Sequence, residues 1–205
     1  MVVRLGLIRS LSLLLAVVTL IACGHGNEPG KNNPAPERVF EEVDLGLSVK
    51  WAACNVGAST PSESGSFFAW GELSDKFEFS QNSYLGTEDD AARAIMGGSW
   101  RIPTDDEWEE LMNGCIWHWT ELDSVKGYLL MSKIPKHHDA TLFLPAAGYC
   151  DDCYSYLSGV KGYYWSASLV SSNSSLAYSV VLNNEEPEWD QAPRYLGFSI
   201  RAVRN

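Results

Sequence analysis

Apolar and polar residues alternate along Val43–Trp51, with Leu45, Leu47, Val49 and Trp51 on one side of the alternation. A period of two belongs to a strand with one buried face, so the pattern predicts a strand here, running through 52–57 into a turn. Gly65–Gly71 holds Phe67, Phe68 and Trp70 between glycines, and 72–86 read as a loop. The period then changes. Thr87, with Asp90 three positions on, predicts the cap of a short helix over Ala91–Met96 that Gly97 and Gly98 stop. Thr104 with Glu107 predicts a capping box, and Asp105 and Asp106 suit the positive end of the helix dipole. Trp108, Leu111 and Met112 follow at helical spacing as a buried stripe, and Gly114 ends the helix. Later segments return to strand character: Leu142–Gly148, Gly162–Ser168, and Leu176–Leu182 before an Asn183-Asn184 turn. In Gly197–Val203, Phe198, Ile200 and Ala202 share one face. Two helices early and strands late predict an α+β fold, its sheet mostly antiparallel.

The first segment has another pattern. Arg4 and Arg9 precede Leu11–Ile21, an uncharged run of eleven residues that is almost wholly apolar. That is too short for a transmembrane helix, which needs about 20 apolar residues, and it suits a secretory signal. Leu20-Ile21-Ala22-Cys23 resembles the bacterial lipobox. The resemblance implies cleavage before Cys23, acylation of Cys23 with palmitate-type chains and attachment to the membrane through that lipid. Gly24 in place of Asp favours an outer-membrane location. Residues 24–38 are Gly, Asn and Pro with scattered charge and cannot bury a core. The expected organisation is a signal over 1–22, a tether over 23–39 and one domain over 40–205. His25 lies in the tether without a partner for a metal.

Composition narrows the function. A content of 45% hydrophobic and 20% charged residues is that of a packed domain. Fifteen basic against 26 acidic side chains give −11, and loss of Arg4 and Arg9 with the signal leaves 13 against 26, or −13. Such a surface does not suit nucleic acid or anionic lipid headgroups. The sequence has no Gly-rich phosphate loop, no Gly-x-Ser-x-Gly and no His-Glu-x-x-His. His118, between Trp117 and Trp119, reads as packed rather than catalytic. The expectation is a protein without enzymatic activity, cofactor or metal.

Four cysteines follow Cys23: Cys54, Cys115, Cys150 and Cys153. Cys150-Asp-Asp-Cys153 admits three chemistries. A zinc knuckle needs a second ligand pair, for which only His137 and His138 are near in sequence. A redox pair needs a depressed thiol pKa, and Asp151 and Asp152 push the other way. A local disulfide in an exported protein is the preferred reading, with free thiols as its alternative. Tyr154, Tyr156, Tyr163 and Tyr164 in a Gly/Ser-rich segment read equally as a contact surface or as core plugs.

Eight blocks occur in order: Val43–Leu47, Trp51–Ala58, Phe68–Glu72, Gly98–Thr104, Glu107–Leu111, Phe143–Gly148, Tyr164–Ser166 and Gly197–Arg201. Together they resemble the Fibrobacter succinogenes major paralogous domain, abundant in lipoproteins and secreted proteins of Bacteroidales-type bacteria. The resemblance spans about 40–205 and implies a C-type lectin-like fold closed by its own ends. The strand near Val43 would pair with the strand near Ile200, and the long loops would gather opposite. Arg101–Glu109 is also similar to a block of the formylglycine-generating enzymes of the same fold. Those enzymes carry a late cysteine pair, and no Cys lies between Trp165 and Asn205, so the activity is not carried over. Cys54, within the second block, and Cys115, just beyond the fifth, both lie at element ends; they are the preferred disulfide pair, with two buried free thiols as the equal alternative. The acids and amides of Asn183–Asp190, with Trp189 beside Asp190, have the composition of a calcium site but not the order of the lectin motif. A solvated acidic hairpin is the preferred reading. The expected function is a lipid-anchored cell-envelope protein whose domain binds a glycan or an envelope protein, with Tyr154, Tyr156, Trp189 and Asp190 as contact residues. The alternative is a structural or accessory subunit of a surface or fimbrial assembly.

Overall fold

The computed structural model describes residues 40–73, 89–152 and 154–205. Cys23, the tether, Thr87 and Cys153 lie outside the described residues. The first alternation is not one strand. It forms β1 (Glu42–Val43) and β2 (Lys50–Ala52), which pair antiparallel with Val43 opposite Trp51. Asp44 turns the chain by accepting from the Gly46 backbone N–H at 2.8 Å, and Gly46 takes φ 74°. A Cβ on Gly46 would meet the His137 ring at 2.6 Å, so close approach as well as conformation selects glycine. The predicted face still holds, since Leu45, Val49 and Trp51 are buried and Leu47 packs beside them.

α1 (Ala91–Met96) is capped by Asp90 rather than by Thr87. One Asp90 carboxylate oxygen accepts from Arg93 N at 3.1 Å and the other from Ile102 N at 2.9 Å. The cap thereby fastens the helix to the chain beyond it. α2 (Asp105–Gly114) has the predicted capping box of Thr104 and Glu107, and buries Trp108 and Leu111 completely. Arg101 grips the same Glu107 carboxylate through two donors at 2.7 and 2.5 Å.

Strands follow: β3 (Cys115–Leu122), β4 (Val125–Ser132) and β5 (Thr141–Pro145) form one antiparallel sheet in that order. The β3–β4 hairpin, which the alternation did not predict, turns at Asp123 and Ser124, both at positive φ. A single 3-10 turn, Pro135–His137, separates β4 from β5. β6 (Tyr149–Asp151) and β7 (Tyr154–Tyr156) make a short hairpin. β8 (Gly162–Leu169), β9 (Leu176–Leu182) and β10 (Glu188–Pro193) form a second three-stranded sheet. β11 (Val203–Arg204) pairs with β2, Val203 opposite Trp51. The architecture is α+β with antiparallel ladders.

Two hydrophobic clusters share the β8–β9 pair. Tyr164, Val180 and Leu182 enter the first, around Trp51, Trp108, Leu130 and Leu144. Trp165 and Ala177, pointing the other way, enter the second, around Phe68, Trp100, Phe198 and Ile200. Both faces of this pair are therefore covered. The same holds for Gly197–Val203, predicted as a half-buried strand. Every residue from 197 to 203 is buried, because Phe68, Cys150, Tyr164 and Arg101 all bridge to this segment. Arg201, with no exposed surface, donates to Asn55 Oδ1 and to the carbonyls of Ala52, Ala53 and Phe143 at 2.6–3.1 Å.

Candidate functional site, an aromatic face beside carboxylates

The β6–β7 register sets Tyr149 opposite Tyr156 and Asp151 opposite Tyr154. Opposed residues of an antiparallel pair share a face, so the three tyrosines project together. The rings of Tyr149 and Tyr156 stack, 5.2 Å apart and 22° between planes. Tyr163 of β8 meets Tyr149 edge to face at 5.0 Å, and Phe198 supports both from the second cluster. The row therefore runs from a core residue to the surface, where Tyr154 is 66% exposed. Leu157 and Val160, in the turn that follows β7, are also exposed apolar residues.

Carboxylates border the row. Burial raises the Tyr163 hydroxyl pKa, and the neighbouring Tyr149, Asp190 and Glu188 push it further the same way. In the register, Tyr163 faces Val181 and Val181 faces Glu188, which puts Tyr163, Glu188 and Asp190 on one side of the sheet. Trp189 lies on the other side with Val180 and Tyr164, and its ring meets Tyr178 edge-on at 6.2 Å. Of the predicted contact residues, Tyr154, Tyr156 and Asp190 thus gather on the Tyr149–Tyr163 side. Trp189, though exposed, is separated from them by the strand's own alternation. Tyr164 is no contact residue: it is fully buried, donates to Pro145 O at 2.7 Å, and burial pushes its hydroxyl pKa up to about 12. Tyr149 and Tyr163 complete the row, and strand parity on β8 was the signal that separates Tyr163 from Tyr164.

The cysteines do not pair as expected. Cys54, Cys115 and Cys150 are free thiols. Cys115 packs among Leu45, Trp108 and Leu111, within the influence of Lys133 and Glu110. Cys54 has Arg201, Glu41 and Glu63 around it instead, so the predicted pair sits in two unrelated surroundings. Burial raises the pKa of all three thiols, that of Cys115 to about 11, and keeps them protonated at neutral pH. The predicted partner of Cys150, Cys153, lies outside the described residues. His137 and His138 bond the carbonyls of Asp44 and Pro135. His118 is exposed rather than packed, while Trp117 and Trp119 take Tyr128 between them.

Asn183–Asp190 forms the exposed turn and first half of the β9–β10 hairpin, its Asn183 side chain bonding Glu185 N, Glu186 N and the Glu188 carboxylate. Among the described residues no three His, Cys, Asp or Glu side chains converge as a metal site would require. A cavity of about 360 Å³ opens between Phe40, Glu41, Cys54, Asn55, Ser59 and Met96. The Asn55 amide beside it is committed to Arg201 and to Ser64 O. Among the described residues no helix is long and apolar enough to cross a membrane. Compared with known proteins, the chain matches no family model, no curated protein and no solved structure.

Proposed function

We propose that this chain is a lipid-anchored protein of the cell envelope, held in the outer membrane through Cys23, and that its domain is a C-type lectin-like module of the Fibrobacter paralogous family that recognises a ligand without transforming it. One observation carries the recognition reading: a row of tyrosines, Tyr163, Tyr149 and Tyr156, opens to solvent at Tyr154 and is bordered by Asp190 and Glu188. Tyrosine gives a large contact area with few torsions to freeze, and adjacent carboxylates accept hydrogen bonds from sugar hydroxyls or peptide donors. The eight ordered blocks support the family, and the Leu-Ile-Ala-Cys boundary supports the anchor.

The test is binding of the full chain to arrayed glycans and to solubilised envelope proteins, with and without a chelator. Tyr154→Ala combined with Tyr156→Ala is expected to abolish binding to the captured ligand and leave the thermal melt nearly unchanged. Binding that survives the double change removes this face from consideration. Chelation is expected to leave binding intact, and a loss that calcium restores would establish a metal-dependent site instead. For the anchor, Cys23→Ala is expected to release the protein from membranes or block its maturation, and continued incorporation of labelled palmitate by that variant would overturn it.

A further inference from the structure

Several acidic side chains of this chain are matched by bases. Glu42 pairs with Lys50 and Arg204, Glu107 with Arg101, and Asp44 lies beside His137. The tyrosine row is different. Asp151 adjoins it across the ladder from Tyr154, and Glu188 and Asp190 adjoin it on the Tyr163 side of β10. Among the described residues none of these carboxylates has an ion-pair partner, and Lys161, the base just ahead of β8, makes no ion pair with them. Glu188 accepts from the neutral Asn183 amide, and Asp190 from the Gln191 backbone N–H. Even the buried Ser179 hydroxyl, opposite Asp190 on the ladder, makes no hydrogen bond to it. Their charge is felt by the row, since Glu188 and Asp190 both push the Tyr163 hydroxyl pKa up.

Rings and carboxylates here attract the same sign. A tyrosine ring carries negative charge on its faces, and a cation over such a face gains what a neutral group does not. Opposed residues of an antiparallel pair hold their Cβ atoms about 5 Å apart. A flat cation resting on the exposed Tyr154 ring therefore comes within reach of the Asp151 carboxylate. An anionic ligand is repelled by this border, and a neutral sugar leaves its carboxylates without a counter-charge. A guanidinium answers both parts, because it stacks by its plane and donates by its edge. Leu157 and Val160, exposed after β7, offer apolar contact that a peptide covers and a small free cation does not.

We propose that the tyrosine face takes an arginine side chain of a partner polypeptide, its guanidinium stacked on Tyr154 and bonded to Asp151, with further basic residues of the partner meeting Glu188 and Asp190. This names the partner's chemistry for the recognition face described above, and it rests on that reading. Charge complementarity selects the occupant: unpaired carboxylates of one sign border rings that prefer the opposite sign.

The test titrates the full chain with peptides of one length in which glycine alternates with arginine, lysine or citrulline. Citrulline keeps the flat side chain of arginine and loses its charge. The arginine peptide is expected to bind at low ionic strength, the lysine peptide more weakly, and the citrulline peptide at least about tenfold more weakly. Asp151→Asn and Asp190→Asn should each weaken arginine-peptide binding by about fivefold, the upper worth of one exposed charge pair, and leave the melt unchanged. Glu109→Gln, at an exposed position of α2, controls for the chain's overall charge and should change nothing. An arginine peptide that does not bind, a citrulline peptide that binds equally well, or a Glu109→Gln effect as large as that of Asp151→Asn each overturns the inference. If a neutral glycan binds instead, is lost with the Tyr154 and Tyr156 double change and is untouched by Asp151→Asn, the arginine partner is wrong and the recognition face stands. Arginine-peptide binding that survives the double tyrosine change removes the face and this inference together.

Discussion

Arg201 puts a full positive charge where there is no water to solvate it, and its surroundings answer with dipoles. Four oxygens, of Ala52, Ala53, Asn55 and Phe143, accept its hydrogen bonds, and Tyr164 stands close enough to share in the arrangement. Burial lowers the pKa of the guanidinium, yet arginine starts so high that it stays charged. Removing it strands several buried acceptors. Arg201→Met should therefore cost about 3 kcal/mol or more, read as a lower urea midpoint, and lysine should not rescue it, because one ammonium cannot match that fork of acceptors. Trp108→Ala should cost about 3–5 kcal/mol, as for other fully buried large aromatics. A melting temperature unchanged from the parent would contradict its burial.

Glu107 is a residue whose role changes with pH. Burial acts to raise its pKa, but the Arg101 pair and the Thr104 backbone N–H outweigh burial and hold it below the ordinary value of 4.5. A depressed carboxylate contributes stability that is fully present above its unfolded pKa and is lost as pH falls through the folded one. Glu107→Gln should thus destabilise by about 1 kcal/mol at neutral pH, the usual worth of a helix cap. Denaturation at successively lower pH should show that gap closing below 4.5.

At the scale of elements, alternation marked apolar positions that are buried, but it did not mark buried polar ones and was a poor guide to pairing. Leu176–Leu182 was legible to the residue because one strand there is flanked by simple turns. Along Val43–Trp51 the buried face was right, but a period of two does not say where a strand folds back, and the Asp44–Gly46 turn sits in mid-pattern. β3 was missed because apolar residues occupy both of its faces, Trp117 and Trp119 inside and Ile116 and Leu122 outside, which erases the alternation. In Gly197–Val203 the polar positions Ser199 and Arg201 suggested a wet face, while neighbours on both sides bury them. The Asp44–Gly46 turn can be tested directly. Gly46→Ala should destabilise by about 1 kcal/mol through the positive φ alone, and more through the His137 ring. Adding His137→Ala should recover the steric part but not the conformational part, a non-additivity that a double-mutant cycle measures.

For the whole molecule, the sharing of β8 and β9 between two clusters predicts cooperativity. Neither cluster can lose its packing while the other keeps these strands in place. Tryptophan fluorescence, reporting Trp108 and Trp165 from opposite sides, and far-ultraviolet circular dichroism should therefore trace a single coincident transition in urea. Two separated transitions would show that the clusters unfold independently. The candidate site depends on the same assembly. Tyr154 and Tyr156 were legible as surface tyrosines, but their alignment with Tyr149, Tyr163 and Asp190 arises only when β6, β8 and β10 come together. Trp189 looked like their neighbour because it adjoins Asp190 in sequence, and adjacency along a strand places two side chains on opposite sides of it.

The seating of Arg201 on Ala52, 149 positions earlier in the chain, also governs when this protein can fold at all. β2 waits between β1, made within moments of it, and β11, which leaves the ribosome about 150 residues later. Until then Trp51 lacks one neighbour and the carbonyls of Ala52 and Ala53 lack their donor. A growing chain therefore has no finished core until the segment around Arg201 has emerged. Nascent chains stalled short of Arg201 should be cut rapidly by protease, and resistance should appear only when Arg201 and β11 have emerged.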